Sequence, residues 1–118
     1  MEESLSLNGL RMCVVSTAEC GEVNRETLFE FIQEGSVVSA RYAGGKVRLG
    51  YLVGAMSAEG LRFRYVQVDD SGRLDSGYST CEIRRMATGK MQLIEHFTWN
   101  SQEGSGINIF EEIDISRS

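Results

Sequence analysis

A chain of 118 residues has the length of one domain and can bury roughly two thirds of the surface that its unfolded form exposes. Twelve Lys and Arg against seventeen Asp and Glu give a net charge of -5, which argues against a protein held mainly by the phosphates of nucleic acid or by an anionic membrane. The start MEESLSLNGL lacks the basic residues of a secretory signal and the apolar run LRMCVV is too short to cross a bilayer, so a cytoplasmic location is expected.

Glycine recurs about every ten residues between alternating segments, and proline is absent. That rhythm predicts an antiparallel meander, with strands near 9–17, 26–33, 36–43, 46–56, 61–69, 73–86, 90–100 and 106–114. A flexible tail over 1–7 and a second over 114–118 flank this single domain. Runs such as FEFIQ, VVSARYA and LRFRYVQV have period 2 and are rich in β-branched and aromatic residues.

Turn chemistry sets an expected register, since a slip of one residue flips every side chain. The first strand can turn either Leu10, Met12 and Val14 or Arg11, Cys13 and Val15 inward. A Glu34-Gly35 turn places Phe31 opposite Val38 and Phe29 opposite Ala40, and a Gly44-Gly45 turn continues the face through Tyr42, Val47, Leu49, Tyr51, Val53 and Ala55. Three-residue loops at Ala58-Glu59-Gly60, Asp70-Ser71-Gly72 and Ala87-Thr88-Gly89 carry it onto Phe63, Tyr65 and Gln67, then Asp75, Gly77, Ser79 and Cys81, then Leu93, Glu95, Phe97 and Trp99. Symmetric closure of the last hairpin pairs Trp99 with Ile107, Phe97 with Ile109 and Glu95 with Glu111. Eight strands with one persistent, mostly apolar face most economically close into an all-β, antiparallel up-and-down barrel, with an open sheet or sandwich as the alternative.

The sharpest chemical feature is the inward pair Glu95 and Glu111. Two carboxylates in one low-dielectric cavity would have one pKa raised, giving an acid and an acceptor. They either form a structural network with Tyr51, Tyr65, Gln67 and Ser79 or meet a ligand among Phe29, Phe31, Tyr42, Phe63, Phe97 and Trp99. Arg41, Arg48, Arg62 and Arg64 fall outward, so the lumen is neutral to acidic and suits a small neutral, hydrogen-bond-donating or cationic ligand. A lumen of at least about 300 Å3 would favour binding, and a solid core would leave a filled barrel acting through its surface. His96 points outward, away from Cys81, which disfavours a Cys/His nucleophile. Three cysteines without CxxC spacing and a single histidine indicate reduced thiols and no metal site. No cofactor is indicated. Outward Leu52, Val66, Val68, Ile94 and Phe110 leave room for a homodimer.

The strings CGEVNRETLFEFIQEG (20–35), ARYAGGKVRLGYLVG (40–54), RYVQVDDSGRLDSG (64–77) and LIEHFTWNSQEGSGINIFEEI (93–113) resemble a bacterial family of small avidin-like barrels whose members often carry the label N-acetylglutamate synthase. Glu22, Tyr42, Tyr65, Glu95, Trp99, Glu111 and Glu112 match the family's pattern. Cys20 and Asn24 replace a loop asparagine and serine, Val66 and Gln67 stand at a Gln-His pair, Phe97 stands at a tryptophan and Ile94 at a histidine. The resemblance implies an avidin- or lipocalin-like fold more firmly than a reaction. An acetyltransferase holds the CoA pyrophosphate at a helix N-terminus, whereas SQEGSGINIFEEI runs into a β-patterned segment. Biotin pockets depend on several tryptophans, and this chain has one.

Overall fold

The computed structural model describes residues 6–19 and 21–113. Over them the chain forms β1 (Arg11–Ser16), β2 (Leu28–Glu34), β3 (Val37–Gly44), β4 (Val47–Ser57), β5 (Gly60–Asp69), β6 (Leu74–Arg85), β7 (Met91–Trp99) and β8 (Ser105–Glu112). Each strand pairs antiparallel with the next and β8 returns to β1, closing the sheet into a barrel. Alternation does what period 2 dictates: LRFRYVQV buries Leu61, Phe63, Tyr65 and Gln67 and exposes Arg62, Arg64 and Val66. On β1, Met12 and Val14 are fully buried, which settles the inward face of that strand. Leu7, expected in a tail, is also fully buried, and its N–H donates to Gln33 Oε1 at 3.0 Å. Cys20 and the tails over 1–5 and 114–118 lie outside the described residues.

The hairpins of β5–β6 and β6–β7 have the expected register, with Gln67 opposite Asp75, Gly77 opposite Trp99 and Cys81 opposite Glu95. The β2–β3 and β3–β4 turns fall one residue later, at Gly35-Ser36 and Gly45-Lys46. Gly35 (φ 61°) and Gly45 (φ 64°) carry positive φ, and no non-glycine residue does among the described residues. That is the type II′ pattern, in which glycine comes first rather than last. Phe31 therefore pairs with Ala40 and Phe29 with Tyr42, a shift of two that leaves the face unchanged.

In β4 a bulge sets Arg48 and Leu49 outward together, against the single residue Ala43 of β3. The inward face passes to Gly50, Leu52 and Gly54, so the expected inward set Leu49, Tyr51, Val53 and Ala55 lies outside. Tyr51 is 50% exposed and Leu52 is 1% exposed. Ser57 then pairs with Gly60 across a two-residue turn, one residue shorter than expected. The two one-residue differences cancel, which returns Phe63, Tyr65 and Gln67 to the lumen.

The last hairpin closes three residues off the symmetric register. Asn108, not Glu111, stands opposite Glu95; Gly106 faces Phe97, and Phe110 faces Leu93. Its loop is tied to β6 instead: Asn100 N–H donates to Ser76 O at 2.8 Å and Ser101 Oγ donates to Asp75 Oδ1 at 2.8 Å, while Trp99 N–H donates to Gly104 O at 3.1 Å across the loop itself. An odd shift exchanges the faces. Phe110, expected outside with Leu52, is buried, and Ile107 is exposed.

The core centres on Phe29, which stacks on Tyr42 with ring centres 4.4 Å apart and meets the edge of Phe110 at 4.6 Å. Gly50 leaves the room that Tyr42 fills: a methyl there would stand 2.4 Å from two carbons of the Tyr42 ring. Phe29 and the Tyr42 hydroxyl's bond to Gln67 Oε1 at 2.9 Å hold that ring in place. Gly50→Ala is therefore expected to cost about 1–3 kcal/mol of stability by overpacking, read as a lower urea midpoint at unchanged slope.

Candidate functional site

Glu95 is 5% exposed and lies on the inward face of β7. The Ser79 hydroxyl donates to its Oε2 at 2.6 Å, and the Asn108 amide donates to its Oε1 at 3.0 Å. Asn108 in turn accepts the Ala18 N–H at 3.0 Å, so the loop between β1 and β2 is pinned to the group that holds the carboxylate. Burial pushes the Glu95 carboxyl above its ordinary value, while the bonds from Ser79 and Asn108 and the charge of His96 pull the other way. Burial, then Glu95, raises both the Tyr42 phenol and the Cys81 thiol. Cys81 is a buried thiol, and His96 is exposed on the outer face.

Between Glu95 and the β1–β2 loop lies a cavity, partly open to solvent. Phe63, Tyr65, Trp99 and Phe97 form one wall, with successive ring planes turned 65° (Phe63–Tyr65), 76° (Tyr65–Trp99) and 69° (Trp99–Phe97) to one another. Phe29, Tyr42 and Leu52 line it too, with Gln67 and Asn108 as its amides and Gly21 and Val23 from the loop. Thr17 Oγ1 donates to Val23 O at 3.1 Å, and Thr27 Oγ1 donates to Gly44 O at 3.0 Å, which folds that loop over the barrel mouth. The room for the centre of a water-sized molecule is about 20 Å3, enough for roughly one water or a group of similar size. That is far below the pocket volume expected of a binder of drug-sized molecules.

Of the residues singled out in the sequence, Glu95, Tyr42, Tyr65, Gln67, Phe29, Phe97 and Trp99 meet around this cavity. Ser79 reaches it through Glu95, and Phe31 is buried beside Phe29, with ring centres 6.2 Å apart. Tyr51 and Glu111 do not join them. The β4 bulge turns Tyr51 out, and the shifted β8 register puts Glu111 opposite Gln92, whose Nε2 donates to it at 3.5 Å. Asn108 and Leu52 line the cavity and are positions that sequence reasoning misses. In GINIF either alternating set can face inward, and the isoleucines are the more apolar choice.

A second group of polar side chains stands at the mouth. Ligand oxygens of Glu22, Asp69 and Asp75 lie within 4.8 Å of one another. Gln67 Nε2 donates to Glu22 Oε1 at 3.4 Å, linking this group to the lumen. Burial first, then Asp75 and Asp69, raises the Glu22 carboxyl, against the lowering charges of Arg73 and Lys46. Asp75 accepts from Ser101 at Oδ1, and its Oδ2, which accepts no aligned hydrogen bond, forms an ion pair with Arg73 Nε at 3.2 Å. Its charge is thus answered within the protein, and the group is not assigned as a metal centre.

Comparison with known proteins gives one family match, a family model described as avidin-like protein, over residues 5–113. No curated protein and no solved structure matches the chain.

Proposed function

This chain belongs to the avidin-like protein family, and from that premise we propose that its barrel receives a small ligand in the lumen beside Glu95. The observation that carries this reading is a cavity walled by aromatic rings around a buried carboxylate, with no Lys, Arg or His ion-paired to that carboxylate among the described residues. Pockets of this kind pair an apolar wall with a few placed polar groups. The space takes a group about the size of one water, and because it is partly open to solvent the rest of a larger ligand extends through the mouth.

The one tryptophan of the chain lines this cavity, so its emission reports on the lumen alone. Native mass spectrometry of protein purified without added ligand is expected to show a small adduct, whose removal by gentle denaturation and refolding shifts Trp99 emission. A single bare mass, with no small molecule able to move that emission, would overturn the proposal.

The small cavity also supports a second reading, a filled barrel acting through its outer wall, where Arg41, Arg48, Arg62 and Arg64 stand exposed with Tyr51, Val53 and Val66. Self-association through that wall and a cytoplasmic location, resting on the unpaired thiols Cys13 and Cys81, belong to the same proposal. The N-acetylglutamate synthase label finds no support in the site: Glu95 faces Asn108 rather than a second carboxylate, and the described residues offer strands where a CoA pyrophosphate needs a helix N-terminus.

A further inference from the structure

Resting on the lumen reading above, we propose that the group bound beside Glu95 is a primary ammonium, either a small alkylammonium ion or the amine end of a longer molecule. Three observations converge on it.

The first is the hydrogen-bond inventory of the lining. Its donors are mostly spent: Tyr42 Oη donates to Gln67 Oε1, Tyr65 Oη to the Thr98 carbonyl, Asn108 Nδ2 to Glu95 and Gln67 Nε2 to Glu22. The oxygens of Glu95 accept one neutral donor each, from Ser79 and Asn108, and a carboxylate offers about four lone-pair sites. Glu95 therefore keeps lone pairs to spare inside the cavity, and an ammonium brings three N–H to meet them.

The second is the wall. Phe63, Tyr65, Trp99 and Phe97 meet edge to face, not in a flat stack, and all four line the cavity. Rings placed in this way stabilise a cation through their quadrupoles, most strongly where water is excluded. Glu95, 5% exposed at the same cavity, is the carboxyl whose ionised form a bound cation favours.

The third is the approach. Glu22, Asp69 and Asp75 outnumber Arg73 and Lys46 at the mouth, and a net negative entrance concentrates cations and repels carboxylates. Size agrees with this, because room for about one water takes the ammonium head of a methylammonium, with its methyl toward the partly open side, and crowds out a quaternary ion.

The test titrates the full chain with methylammonium, tetramethylammonium, acetamide and methanol at constant ionic strength, following Trp99 emission and native mass. Methylammonium is expected to saturate with a dissociation constant on the order of 10 mM, near the limit for two heavy atoms. Tetramethylammonium, which has no N–H, should bind at least tenfold more weakly. Glu95→Gln keeps the shape and the Asn108 bond and should weaken methylammonium at least tenfold without changing methanol. If acetamide or methanol binds as well as methylammonium, the lumen reading stands and the ammonium assignment falls. If none of the four binds, both fall. The wild-type comparison of methylammonium with methanol, which has the same two heavy atoms and no charge, decides the point even where the variant does not fold.

Discussion

Replacing Glu95 by glutamine is expected to make the protein more stable above neutral pH, not less. Both hydrogen bonds survive the change: the amide oxygen still accepts from Asn108, and the new N–H2 donates to Ser79, whose hydroxyl rotates to accept it. What disappears is the cost of ionising a carboxyl that is 5% exposed. Because burial raises the folded-state pKa of Glu95 above the ordinary 4.5, the native state holds this proton more tightly than the unfolded chain. The stability associated with it is therefore complete below about pH 4.5 and is lost as pH rises through the folded pKa, beyond which it stays level. Urea unfolding of wild type and Glu95→Gln from pH 4 to pH 9, followed at Trp99, should give curves that meet at the acid end. They should separate by on the order of 1–3 kcal/mol at the alkaline end, the range for an incompletely satisfied buried group. Glu22, also raised, and Asp69, lowered, titrate in both proteins and cancel in the difference. Parallel curves across the whole range would mean that Glu95 ionises in the folded barrel at no cost.

The existence and order of the strands were legible because each is announced by period 2 and bounded by glycine, and the register of β5, β6 and β7 because three-residue loops left it no freedom. Asp69 Oδ1 illustrates this, accepting the N–H of Ser71 and of Arg73 so that the loop is fixed from within. The site was legible to the same depth: Glu95 against Cys81, and Trp99 over Gly77, follow from turn counting alone. The rest was decided by contacts distant in sequence. The loop after β7 takes its shape from Asp75 and Ser76, some 25 residues earlier, and nothing within SQEGSG announces those partners. That hidden contact is what replaces the anticipated carboxylate pair with Glu95 and Asn108, and with it a candidate acid-base pair with a hydrogen-bonded single acid.

The bulge in β4 is the other place where pattern alone misleads, and a pair of truncations tests it. In VRLGYLVGA the set Val47, Leu49, Tyr51 and Val53 alternates without a break, whereas Val47, Gly50 and Leu52 do so only across an extra residue, so apolar pattern points to the wrong face. Packing decides: the Tyr42 ring occupies the space over Gly50, which no side chain at an inward residue 50 could share. With the bulge, Leu52 faces Tyr65 across the β4–β5 ladder and lines the lumen. Leu52→Ala should then cost about 2–5 kcal/mol, the transfer and cavity terms together, while Tyr51→Ala on the outer wall should stay within about 0.5 kcal/mol. The reverse ranking in urea unfolding would put the Tyr51 ring back in the lumen and remove the bulge. The truncation also links register to function, because shortening Leu52 enlarges the same cavity that holds Glu95. If that cavity is the binding site, Leu52→Ala should bind tetramethylammonium more tightly than the wild type does, whereas Tyr51→Ala should leave that affinity unchanged.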